Sequence, residues 1–144
     1  MSITTSPPVT SQYVVSLPHS RRAPSLARHV SESWLMAVDP VDPVDRVADA
    51  VLVVSELVTN AVRHTDDSCV LTLTLRDSRL DIAVADHSEE FPDLCHAQGD
   101  ERGGFGMQVI RRLGGRIRLV PAIGGKTVHV LVDLSAGPEA PGEP

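Results

Sequence analysis

Between Val44 and His64 runs the stretch VDRVADAVLVVSELVTNAVRH, whose apolar residues recur at helical spacing along its whole length. With Glu56 set at 0° and about 100° added per residue, Val47, Val51, Val54, Val58 and Ala61 gather within about 40° of the opposite direction. Glu56, Asn60 and Arg63 gather within about 40° of the origin. Such a helix has one stripe that must be buried against another layer, and its last turns carry a polar stripe that packing does not require. Just before it, Asp39-Pro40-Val41-Asp42-Pro43 halts any preceding helix and offers an Asp cap to the new one.

The segment Arg22 to Ala37 has Leu26, Val30, Trp34 and Ala37 at helical spacing, with Pro24 suited to a first turn. Gln12 to Leu17 suits a short strand. After Thr65-Asp66-Asp67-Ser68 the period changes to two: Val70 to Arg76 and Leu80 to Ala85, joined by Asp77-Ser78-Arg79, predict an antiparallel hairpin. From Asp86 to Arg102 the chain is polar and irregular, long for a connection and a candidate lid. Gly103-Gly104-Phe105-Gly106 then opens a helix, Met107 to Leu113, closed by Gly114-Gly115. Two strands follow, Arg116 to Val120 and Lys126 to Leu134, turning at Ile123-Gly124-Gly125. One domain over residues 12–134 is expected, with a disordered segment at 1–11 and a flexible tail at 135–144.

Three groups of residues carry chemistry. Glu56 and Asn60 lie one helical turn apart, so a carboxylate that can accept a proton sits beside an amide oxygen suited to Mg²⁺, with Arg63 and His64 near enough to meet phosphate oxygens. The same spacing also describes a solvated helix face. Asp86 ends the apolar run Ile82-Ala83-Val84-Ala85, where a carboxylate can accept from an exocyclic amino group or simply shape a turn. The glycines at 103, 104 and 106 let backbone approach phosphates at a helix N-terminus, although many ordinary loops share that feature. No GxxxxGK[ST] is present, so this is not a Walker P-loop.

The order of these groups resembles the GHKL (histidine-kinase-like) ATPases over roughly Tyr13 to Leu134, and within them the RsbW-type anti-sigma-factor serine kinases of actinobacteria. SELVTNAVRHT resembles the family's N box, GGFGMQVIRRLGG its second glycine box and GGKTVHVLVDL its closing strand. The resemblance implies the Bergerat fold, an α/β two-layer sandwich with a mixed, mainly antiparallel sheet and three helices on one face. It also implies ATP and Mg²⁺ as ligands: Asn60 matches the metal ligand, Glu56 the general base, Arg63 a basic position near the phosphates and Asp86 the acid that reads adenine. Gly104 and Gly106 match the glycines that wrap the phosphates, and Thr127 matches a position where the closing strand nears the nucleotide.

On this resemblance the expected function is ATP-dependent serine kinase activity toward an anti-sigma antagonist, combined with inhibition of a sigma factor, and a homodimer is expected. One departure supports a different class. The family's Asp-x-Gly-x-Gly is here Asp86-His87-Ser88-Glu89-Glu90, which suits a non-catalytic partner-binding regulator with a degenerate nucleotide pocket. A net charge of -6 argues against nucleic acid as a partner. No apolar run approaches a membrane span and no signal peptide is evident, so a cytoplasmic location is expected, with Cys69 and Cys95 reduced. His87, Cys95 and His96 lack metal-ligand spacing, and Ser55 and Ser88 lack triad partners.

Overall fold

The computed structural model describes residues 10–38, 44–89 and 110–135. Seven elements follow in chain order: β1 Thr10–Leu17, α1 Ala23–Val38, α2 Val44–His64, β2 Cys69–Arg76, β3 Arg79–Asp86, β4 Arg116–Ala122 and β5 Gly125–Asp133. The strands form one sheet in the order β1-β2-β3-β5-β4. All four pairings are antiparallel, so the mixed sheet expected from resemblance is wholly antiparallel among the described residues. Among the described residues α1 and α2 lie on one face of the sheet, giving the two-layer α/β sandwich.

α2 keeps the bounds its periodicity predicts. Val47, Val51, Val54, Val58 and Ala61 are all buried in the core, where Leu71, Leu73, Ile82, Val84, Val128 and Val130 meet them from the sheet. α1 departs from expectation. Its buried face is Ala23, Ala27, Ser31 and Leu35, whereas Leu26 is 44% exposed and Ala37 is also exposed. Small residues every fourth position let α1 lie close against α2, and that close approach outweighs the larger apolar side chains one position away. Trp34 is half-buried against the core and stacks on Tyr13 of β1, ring centroids 6.1 Å apart and 28° between planes.

The turns are set by local chemistry. Asp77 takes a φ of 56° between β2 and β3, a conformation that Asp tolerates better than most residues. Residues 110–112 are helical and end in a Schellman closure: the Gly115 N–H donates to the Ile110 carbonyl (2.8 Å) and the Gly114 N–H to that of Arg111 (2.9 Å), with Gly114 at φ 65°. The Arg112 guanidinium also donates twice to the Asp49 carboxylate of α2, at 3.0 and 3.1 Å. At the opposite end of the sheet Gly125 has a different task. A Cβ there would overlap the Asp86 backbone carbonyl oxygen. Gly125→Ala is therefore expected to cost about 1–3 kcal/mol of stability. A thermal melt equal to that of the parent would mean that β3 and β5 do not approach so closely.

β1 begins at Thr10, two residues before the strand read from sequence. The segments 1–9 and 136–144, most of the candidate lid and the first part of the helix expected at Met107 to Leu113 lie outside the described residues. No helix among the described residues is long and apolar enough to cross a membrane.

Candidate functional site

The C-terminal end of α2, the start of β2, the end of β3 and the start of β5 share one end of the domain. The register fixes this, because Cys69 opens β2 directly after the α2 turn, Val70 pairs with Ala85, and Asp86 pairs with Lys126. The last carbonyls of α2 need partners from outside the helix. One is supplied from the β1–α1 loop, where His19 Nε2 lies 3.1 Å from the Val62 carbonyl oxygen.

Along α2, Glu56 is half-buried, Asn60 is 7% exposed and Arg63 is exposed. Helical spacing stacks the three on one face. Burial pushes the Glu56 carboxyl above the ordinary carboxylate range, and the positive charge of Arg63 draws it part of the way back. A carboxylate with a raised affinity for a proton, next to an amide oxygen, is a donor set suited to proton acceptance and to a hard cation. No group of three or more His, Cys, Asp or Glu able to hold a metal is present among the described residues. A cation here would need ligands from elsewhere, as Mg²⁺ takes from substrate phosphates. The donor set thus fits the metal and phosphate end of a nucleotide.

The surroundings of Asp86, the acid that the resemblance assigns to adenine, are different. Asp86 is the last residue of β3 and its side chain is 3% exposed. Lys126 Nζ donates to both of its carboxylate oxygens, each at 3.0 Å, and to the Ser88 carbonyl at 3.2 Å. The Ser88 N–H donates to Asp86 Oδ1 at 2.8 Å. Glu89 Oε2 accepts from the Gly124 N–H at 2.9 Å, tying the chain after β3 to the β4–β5 turn. Ser88, at the first of the two positions where the resemblance implies a glycine, and the neighbouring Glu89 close this network, Ser88 without a positive φ, which among the described non-glycine residues only Asp77 adopts. Glu90, at the second such position, lies outside the described residues. An exocyclic amino group would find the acceptors of Asp86 already engaged.

Thr127 is not brought to this group. Lys126 shares the helix-facing side of β5 with the buried Val128, Val130 and Val132, so Thr127 points to the other face of the sheet. The β5 residue that meets Asp86 is Lys126, which is not among the site residues expected from the sequence. The sequence does not single out Lys126, because the pairing that brings it to Asp86 joins β3 and β5, strands that are not consecutive in the chain. Gly104 and Gly106 lie outside the described residues. A cavity of about 510 Å³ opens beside Lys126, lined also by Glu89, Leu119, Pro121, Ile123 and Gly125.

Cys69 is buried and free, and burial together with the nearby Asp86 charge pushes its thiol up to about 11. Against an ordinary thiol this removes roughly 100-fold of the thiolate at neutral pH. In a Cys95→Ser variant, Cys69 should react with a disulfide reagent about that much more slowly folded than denatured. Equal rates would show that this end of β2 is open to solvent.

Residues 17–131 match a family model described as the histidine kinase-like ATPase domain. No curated protein matches the chain. Among solved structures, the chain is similar to the RsbU and RsbW domains of Rv1364c from Mycobacterium tuberculosis, with a TM-score of 0.64 and 22% identity over 89% of this chain and 34% of that one. At that identity the likeness shows the fold. It is also similar to the histidine kinase domain of the Erythrobacter litoralis EL346 blue-light activated histidine kinase, with a TM-score of 0.51 and 26% identity over 65% of this chain and 50% of that one. The chain thus spans half or less of the length of these structures.

Proposed function

This chain belongs to the histidine kinase-like ATPase domain family, and on that premise we propose that it is an ATP-binding regulator with serine kinase activity toward an anti-sigma antagonist. The observation that carries the reading is the row on α2: a desolvated Glu56 carboxyl one turn from the buried Asn60 amide, at the end of the domain where Asp86 lies. In this reading the Asn60 oxygen holds Mg²⁺, which when bound neutralises charge on the phosphates. Arg63 steadies the phosphate chain, and Glu56 takes the proton of the attacking hydroxyl. Gly104 and Gly106 wrap the phosphates. Sigma-factor inhibition and a homodimer complete the proposal by resemblance, and a cytoplasmic setting is proposed with them.

Titration with Mg-ATP and transfer of labelled phosphate to a cognate antagonist test it. Binding and transfer should both be present in the parent and both lost in Asn60→Ala. A folded protein that neither binds millimolar Mg-ATP nor transfers phosphate would sink the reading.

A second reading, a non-catalytic partner-binding regulator, is favoured by one observation: both carboxylate oxygens of the acid expected to read adenine already accept from Lys126. It predicts tight partner binding that is indifferent to nucleotide.

A further inference from the structure

Lys126 is the only lysine in the chain, against twelve arginines. It is also one of the few buried charged groups among the described residues, with its side chain 4% exposed. Long cationic side chains normally keep the charged head in water. This one turns its ammonium inward and directs all three N–H groups at acceptors: both Asp86 oxygens and the Ser88 carbonyl. An ammonium on Asp86 does what a base's exocyclic amino group would do there. It donates hydrogen bonds to the same carboxylate, and it adds a full charge.

We propose that Lys126 is a built-in occupant of the base-reading acid, setting nucleotide affinity by holding Asp86 until an adenine base displaces it. The proposal rests on the ATP-binding reading above and deepens it, by naming the residue that limits affinity at that site. The structure also provides a place for the displaced side chain. Lys126 already lines the neighbouring cavity, where Leu119 and Pro121 offer apolar surface to its stem and the Glu89 carboxylate offers a counter-charge to its head. Asp86 thus exchanges one donor for another, and the ammonium moves from one carboxylate to the next without being stranded. Guanine presents a carbonyl where adenine has its amino group, so a freed Asp86 would favour adenine alone.

The test measures Mg-ATP and Mg-GTP affinity by calorimetry in the parent and in Lys126→Thr, a β-branched residue that suits a strand. Lys126→Thr should bind Mg-ATP about tenfold tighter or more, with Mg-GTP unchanged. A general loosening of this end would move both nucleotides alike and would overturn the proposal, as would a folded variant that binds Mg-ATP no tighter than the parent. Those two results leave the ATP-binding reading standing. No binding of millimolar Mg-ATP by either protein overturns both.

Because Lys126→Thr removes one partner of a buried pair, a second measurement uses the parent chain. An amine-acylating reagent at mildly alkaline pH, followed by mass spectrometry of the peptide bearing residue 126, reads the single lysine. Its acylation should be slow without nucleotide and several-fold faster with saturating Mg-ATP, by the same logic that relates exchange to opening. An unchanged or slower rate at saturation would overturn the proposal.

Discussion

Lys126→Met lowers the unfolding free energy by about 3–5 kcal/mol and the melting temperature by on the order of 10 °C. The loss is large because the substitution leaves Asp86 behind. Its carboxylate is 3% exposed and, among the described residues, would keep only the Ser88 N–H as a donor. It must then carry an uncompensated charge in low dielectric. The pair itself need not be worth that much. Replacing both partners, as in Asp86→Leu with Lys126→Met, should recover most of the loss, since well-packed apolar residues commonly match a buried ion pair. A chemical-denaturation cycle over the four proteins decides it. A loss below about 1 kcal/mol for Lys126→Met would mean that the pair is solvated like a surface bridge.

Glu56→Gln is expected to reduce phosphate transfer by roughly a hundred- to ten-thousand-fold while leaving the fold as stable or slightly more so. The two effects have one origin. Burial holds the Glu56 carboxyl above its ordinary value in the folded state, partly offset by Arg63. The folded protein therefore keeps this proton to higher pH than the unfolded chain does. The resulting contribution to stability is present below the unfolded pKa and is lost as pH rises through the folded one. At neutral pH the ionised group is a net cost, which glutamine removes. The melting temperature of Glu56→Gln should equal or exceed that of the parent at neutral pH, and the gap should close as pH falls into the carboxylate range. A marked drop in melting temperature at neutral pH would recast Glu56 as a structural residue.

Much of the architecture was legible because it rests on periodicity. The approximate extent of α2 followed from its apolar stripe and the flanking breakers, and the β2–β3 hairpin followed from period-two alternation around a turn at Asp77. The burial of α1 was not, since a stripe of small residues at Ala23, Ala27 and Ser31 looks weak beside Leu26 and Trp34 on any hydrophobicity count. Its advantage is close approach, which depends on the partner helix rather than on the sequence of α1. The Glu56–Asn60 row was legible from spacing, since one turn of helix stacks its members. The Asp86–Lys126 pair was not, because nothing local to either residue announces the other. They are 40 positions apart, and only the β3–β5 register brings them together.

The alternation along β5 ties the residue that faces Asp86 to the residues that fill the core. Sliding the strand by one position to bring Thr127 across from Asp86 would carry Val128, Val130 and Val132 out into water. Gaining or losing a residue in the turn at Ile123 and Gly124 therefore cannot trade the lysine for the threonine. The character of that end of the sheet changes only through the codon for residue 126 itself.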